Sequence, residues 1–171
     1  MTFPKEVLDR AAGVRLFLSD VDGVWTDGRV TVHADGTESV TFSIQDGLGV
    51  VRLKRAGIEL ALVSGRANPA VDARARRLGL EHIHLGVADK GALVDRMLEE
   101  RGLKPEQVAA IGDDLPDLEM FDRAGLRLAP PHAVPEVRER ADWVTRAAAG
   151  AGCLREACDL LLAARDGAQA T

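Results

Sequence analysis

No apolar run in this 171-residue chain approaches the roughly 20 residues that a membrane-spanning helix needs. The opening residues, MTFPKEVLDR, carry no apolar segment of the kind found in a secretory signal, so a cytoplasmic protein is expected. Positive charge is also short. Lys and Arg number 22 against 27 Asp and Glu, a formal net charge of −5. That balance argues against a general binder of nucleic acid or anionic membrane, because such proteins gather positive charge to meet phosphates. It leaves room for a small basic pocket. Cysteine is scarce as well: Cys153 and Cys158 lie five apart in a segment of helical pattern. A helix turns that spacing onto different faces, which suggests neither a disulfide nor a metal knuckle and reads as two buried thiols. Repeats, linkers and low-complexity stretches are missing, and residues 1–171 are expected to form a single domain.

What is present suits a globular fold. Hydrophobic residues make up 46% and charged residues 29%, and a chain of this length buries roughly 70% of its unfolded surface without disulfides or structural metal. Short apolar runs at 15–19, 59–63, 82–85, 108–111 and 126–129 read as strands. Helical patterns over 48–56, 69–78, 92–101 and 115–123 separate them, a short amphipathic helix precedes them at 5–12, and 153–165 reads as a final helix. Strands alternating with helices of about ten residues imply right-handed crossovers and a parallel sheet covered on both faces, a three-layer α/β, Rossmann-like fold. Trp143-Val144 adds an edge strand, and residues 166–171 are expected to be mobile. One segment interrupts the alternation. Two β-branched runs, Arg29 to His33 and Glu38 to Phe42, flank Asp35-Gly36, which predicts a β-hairpin over 29–42 inserted after the first strand.

Open parallel sheets bind ligands beyond the carboxyl ends of their strands. The residues that follow the apolar runs are Asp20-Val21-Asp22-Gly23, Ser64-Gly65-Arg66, Lys90, and Gly112-Asp113-Asp114-Leu115-Pro116-Asp117. Crowded carboxylates repel one another unless a cation sits among them, and Mg2+ is the hard cation that takes carboxylates, waters and phosphate oxygens together. A Lys and a Ser hydroxyl beside it would hold the other phosphate oxygens. One aspartate can act as nucleophile and its neighbour as general acid and then base. Each cluster alone also reads as a turn or a helix cap. Their order at successive strand ends is what points to phosphoryl transfer.

These four clusters resemble the motifs of the haloacid dehalogenase superfamily of Mg2+-dependent phosphohydrolases. The DVDGVWTDGRV run, the hairpin, SIQDGLGVVRLKRAGI, Arg74 to Gly79 and TRAAAGAGCLREACDLLL are similar to its capless subfamily of 3-deoxy-D-manno-octulosonate 8-phosphate phosphatases. The resemblance implies Asp20 as nucleophile and Asp22 as general acid and base. Mg2+ would be held by Asp20, Asp113 and the backbone carbonyl of Asp22, with Ser64 and Lys90 on the phosphoryl group. It implies Asp46, Gly47, Gly65, Arg66 and Arg74 as substrate-binding residues. It further implies no cap domain and a homotetramer in which hairpins pack together and a neighbour's tail lines each site.

Three departures thin the positive charge near the substrate: the loop reads Ser43-Ile44-Gln45-Asp46-Gly47, Val51 stands where the family commonly has Arg, and the tail motif reads Ala149-Gly150-Ala151-Gly152. They favour a nine-carbon sialic-type acid 9-phosphate as the rival substrate. A signalling receiver domain shares an α/β fold with an acidic cluster but puts its phosphorylated Asp after the third strand and needs no D-x-D at the first, and a non-catalytic oligomerisation module needs no complete catalytic set. Trp25 either lines the pocket or packs at the hairpin base. Asp117 is expected to orient Lys90 or the metal's surroundings, and Asp114 to cap a helix or touch a metal-bound water. His33 and His132 read as surface or loop residues.

Overall fold

The computed structural model describes residues 2–169. Six parallel strands form one sheet in the order β5-β4-β1-β6-β7-β8, and β2 pairs antiparallel with β3 in a separate hairpin. The strands are β1 (Leu16–Ser19), β2 (Thr31–Val32), β3 (Glu38–Ser39), β4 (Glu59–Ser64), β5 (His82–Leu85), β6 (Val108–Ile111), β7 (Leu126–Ala129) and β8 (Trp143–Val144). The helices are α1 (Lys5–Ala11), α2 (Ile44–Arg55), α3 (Pro69–Arg77), α4 (Lys90–Arg101), α5 (Leu118–Phe121), α6 (Pro135–Arg140) and α7 (Cys153–Gln169). No helix among the described residues is long and apolar enough to cross a membrane.

Alternation along the strands divides the core in two. Phe17, Leu60, Leu62, Ala109 and Ile111 face a layer that includes Val7 of α1, Leu53 of α2, Val71 of α3 and Leu161 of α7. Leu16, Leu18, Ala61, Val63 and Ala110 face the opposite layer, with Val94 and Met97 of α4, Phe121 of α5 and Val137 of α6. Successive side chains of a strand point to opposite faces, so a strand clothed on both sides is apolar along its length, as β6 is throughout and β1 is up to its last residue, Ser19. The connections after β1 and β4 use α2 and α3 on one face, and those after β5, β6 and β7 use α4, α5 and α6 on the other. β1 and β6 are adjacent and feed opposite faces, which opens a crevice at their carboxyl ends.

Local chemistry moves several boundaries from those the sequence predicts. Helix α2 begins at Ile44, four residues earlier, because the Ser43 hydroxyl accepts a hydrogen bond from the Asp46 amide at 3.2 Å and caps it. The predicted helix over 115–123 splits into a 3-10 turn, Leu115–Asp117, and the short α5. Helix α6, with Pro135 in its first turn, carries too short an apolar pattern to read in advance. The hairpin forms where expected, but its ladder is only two residues on each side. All four ladder residues are exposed, so neither strand has a face to bury that would extend the pairing. Helix α7 runs through residues 166–169, expected to be mobile; residues 170–171 lie outside the described part. Cys153 and Cys158 are free and buried, and burial pushes both thiols well above their usual range.

Candidate active site

The first functional group leaves β1 directly. The Asp20 amide donates to the Ile111 carbonyl at 3.0 Å, carrying the β1–β6 pairing one step past the strand and fixing the start of the loop. Ser19 sits beneath it, its hydroxyl donating to the Asp20 carbonyl at 2.8 Å and accepting from the Trp25 indole at 2.9 Å. Trp25 is therefore core, packed at the base of the loop, and not a pocket wall.

Lys90 reaches the same place from the first position of α4. Asp89 caps that helix through the Ala92 amide at 2.7 Å, and Glu119 accepts from the Gly91 amide at 2.9 Å, so the first turn is held at two points. The Lys90 ammonium donates to Asp20 Oδ1 and to Asp117 Oδ1, both at 2.6 Å, and all three residues are buried. The other Asp117 oxygen accepts from the Asp113 and Asp114 amides at 2.8 and 3.1 Å. Both Asp117 oxygens are thus committed to holding Lys90 and the loop after β6. Asp114 accepts from the Leu115 amide at 2.7 Å as the cap of the 3-10 turn.

Two glycines allow this crowding. A side chain at Gly112 would meet Asp117 Cβ at 2.2 Å, and one at Gly23, where φ is +85°, would meet an Asp113 carboxylate oxygen at 2.0 Å. Neither was singled out from the sequence. Their signal lay in the motifs themselves, a glycine directly after the paired aspartates and another directly before Asp113.

Asp20, Asp113 and Asp117 each place a carboxylate oxygen within 4.8 Å of the others. Burial, and then the Asp117 charge, hold the Asp20 carboxyl well above its ordinary range in spite of Lys90. Burial, followed by Asp117 and Asp114, pushes Asp113 up to about 7. Burial alone would lower the Lys90 pKa; the Asp20 and Asp117 charges and hydrogen bonds outweigh it and raise it. One buried ammonium does not balance this set. No donor from another described residue reaches the Asp113 carboxylate, so it and Asp20 have the capacity and the charge for a hard divalent cation.

The remaining groups close a cavity of about 300 Å³. Ser64, at the end of β4, is buried and accepts from the Arg66 amide at 3.1 Å, which shapes the Ser64-Gly65-Arg66 turn. Arg66 donates to Asp22 Oδ1 at 3.2 Å and to Glu38 Oε2 of the hairpin at 2.5 Å. Of the residues expected at the site, Asp20, Asp22, Ser64, Gly65, Arg66, Lys90 and Asp113 line this cavity. Asp46, Gly47 and Arg74 do not. Asp46 is only 2% exposed, and its oxygens accept from the Arg155 amide at 2.7 Å and the Gly152 amide at 3.2 Å, capping α7. Gly47 packs beneath Arg74, whose guanidinium donates to the Ser43 carbonyl at 3.4 Å. In this chain these three tie α2 to α3 and α7. His33 bonds Ser39 within the hairpin at 2.8 Å, and His132 is exposed.

Comparison with known proteins agrees with the geometry. A family model described as haloacid dehalogenase-like hydrolase matches residues 83–155. The chain is 39% identical over 161 residues, 94% of its length and 86% of the relative's, to a 3-deoxy-D-manno-octulosonate 8-phosphate phosphatase of Yersinia pestis. A crystal structure of the phosphatase of that name from Moraxella catarrhalis, in complex with magnesium, phosphate and KDO, superposes with a TM-score of 0.92 at 38% identity, covering 98% of this chain and 97% of that one. The cobalt-bound phosphatase of Haemophilus influenzae gives 0.87 at 33% identity, with 93% of each chain covered. Similarity in sequence and fold along nearly the whole length places this chain among the haloacid dehalogenase-like hydrolases, in the family of 3-deoxy-D-manno-octulosonate 8-phosphate phosphatases.

Proposed function

We propose that the protein is a Mg2+-dependent phosphomonoesterase acting on a phosphorylated 2-keto-3-deoxy sugar acid, 3-deoxy-D-manno-octulosonate 8-phosphate or a close analogue. The observation that carries the reading is the buried Lys90 bridging Asp20 and Asp117 beside Asp113, at the crevice between β1 and β6. Asp20 and Asp113, with the backbone carbonyl of Asp22, would hold Mg2+, which when bound offsets the charge of the phosphate and of the carboxylates. Asp20 attacks phosphorus with its free oxygen, forming an aspartyl-phosphate as the bond to the sugar oxygen breaks. Asp22 gives its proton to the departing alkoxide. It then takes a proton from the water that cleaves the acyl phosphate, returning Asp20 and inorganic phosphate. Ser64 and Lys90 hold the oxygens of the transferring group, and Asp117 keeps Lys90 aimed at them.

We also propose that residues 1–171 work as one domain, in the cytoplasm and as a homotetramer. Support for assembly comes from large apolar residues left exposed at the hairpin and at the start of α2: Val32 is 64% exposed, Ile44 83% and Leu48 50%. The decisive test of the chemistry is phosphate release from a panel of sugar-acid phosphates with Mg2+ and with EDTA. Hydrolysis is expected with Mg2+ only, to fall by roughly 10³-fold or more in Asp20→Asn, and to favour the eight-carbon acid. Equal turnover in EDTA would overturn the mechanism. Preference for a nine-carbon acid phosphate would move the assignment to the sialic-type reading, and preference for neutral hexose phosphates would reject both.

A further inference from the structure

Lys90 and Arg66 are the cations among the described residues that line the cavity. Lys90 is buried and faces the phosphoryl position between Asp20 and Asp117. A second anionic group on a substrate therefore has Arg66 to meet, whose side chain is 43% exposed. Its guanidinium is not free. One amino group pairs with Asp22, from the loop after β1, and the other with Glu38, which belongs to the hairpin and does not line the cavity. Glu38 is itself 38% exposed, so solvent reaches both members of its pair with Arg66. An ion pair this open is weak and readily exchanged.

Resting on the proposal that the substrate is a phosphorylated acid, we infer that Glu38 is a specificity-determining residue, an internal competitor that occupies the outer edge of Arg66 where the substrate's carboxylate docks. A substrate carboxylate replaces Glu38 like for like, since both are planar two-oxygen acceptors for the same guanidinium fork. Anions that pair less well, and esters without a carboxylate, leave Glu38 where it is. The same competition loosens the acidic product once phosphate has gone.

The test compares kcat/KM for the sugar-acid phosphate with kcat/KM for p-nitrophenyl phosphate, which bears no carboxylate. Glu38→Gln keeps the shape and an acceptor while removing the charge, and is expected to raise the ratio about threefold, the size of one exposed charge pair. The inhibition constant of the dephosphorylated sugar acid against p-nitrophenyl phosphate should fall by a similar factor, and Glu38→Ala should act in the same direction. Both gains are expected to vanish when Arg66 is already Ala. An unchanged or lowered ratio, an unchanged inhibition constant, or a gain that survives the loss of Arg66 would overturn the proposal. So would parallel losses on both substrates, which mark a purely structural role. A wild type inactive on the acid phosphate overturns the substrate reading alone, and the inhibition constants then still decide the role of Glu38.

Discussion

The two ends of the same sheet handle charge in opposite ways. At the amino end, the Glu59 carboxylate that opens β4 accepts from Arg101 Nε at 2.8 Å, with Arg101 Nη2 at 2.7 Å and Nε2 of His82, the first residue of β5, at 3.0 Å. Arg127 of β7 meets Asp142, just before β8, at 2.9 and 3.0 Å. Acid and base are matched there, and the groups are partly open to solvent. At the carboxyl end, one buried ammonium faces Asp20, Asp113, Asp114 and Asp117. Folding tolerates that excess because the rest of the sheet holds the loops in place. The unmatched negative charge is the property that a phosphatase needs if a cation is to bring a dianionic ester to a carboxylate nucleophile.

Removing the central cation should sharpen this contrast most. Lys90→Met leaves Asp20 and Asp117 buried with no counter-charge and is expected to destabilise the fold by roughly 3–5 kcal/mol, besides ending turnover. Arg101→Met at the other end leaves Glu59, about one-third exposed and still paired with His82, and should remove no more than about 1 kcal/mol. Denaturant unfolding of the two variants gives both numbers. Equal losses would mean that burial does not separate the ends.

This difference also governs what the sequence made legible. The central strands showed because both of their faces are buried, and Asp20, Ser64 and Asp113 showed because each stands within two residues of the end of an apolar run, while Lys90 showed as the basic residue opening the helix after 82–85. Asp46 and Arg74 read as substrate groups on resemblance, since no local pattern tells a pocket carboxylate from one capping a helix more than a hundred residues away through the Gly152 and Arg155 amides. Glu38 carried no signal. Its meaning depends on where a short hairpin folds back, and two exposed strands leave no periodicity from which that can be read.

A smaller effect, of opposite sign, is expected at Asp113. Replacing it with Asn removes one of the mutually repelling carboxylates, so in EDTA at pH 8 the variant should unfold about 1–2 kcal/mol less readily than wild type. Adding Mg2+ should raise the wild-type Tm with concentration and move that of Asp113→Asn far less, because a ligand stabilises only the fold that binds it. Thermal melts across a Mg2+ titration check both halves. A variant less stable without metal, or stabilised by Mg2+ as strongly as wild type, would show that the carboxyl end is not a strained cation site.

The smallest expected effect lies at Asp142. Burial pushes this carboxyl up, but the hydrogen bonds from the Arg127 guanidinium and amide, with the charges of Arg127 and Arg10, hold it below its ordinary value. A carboxyl depressed by folding adds stability above its unfolded pKa, about 3.9, and that stability is lost as the pH falls through the folded value. Asp142→Asn keeps an acceptor for the Arg127 amide and removes the charge, so at pH 7 it should lower stability by no more than about 1 kcal/mol, or roughly 2–4 °C in Tm. As the pH falls below the unfolded value and through the folded one, the wild-type carboxyl takes up its proton and the difference between the two proteins should narrow. Melts in steps from pH 7 into acid measure it. A gap that keeps its size at every pH where the fold persists would assign the loss to shape and hydrogen bonding instead of charge, and the amino end would then not be stabilised by matched ions.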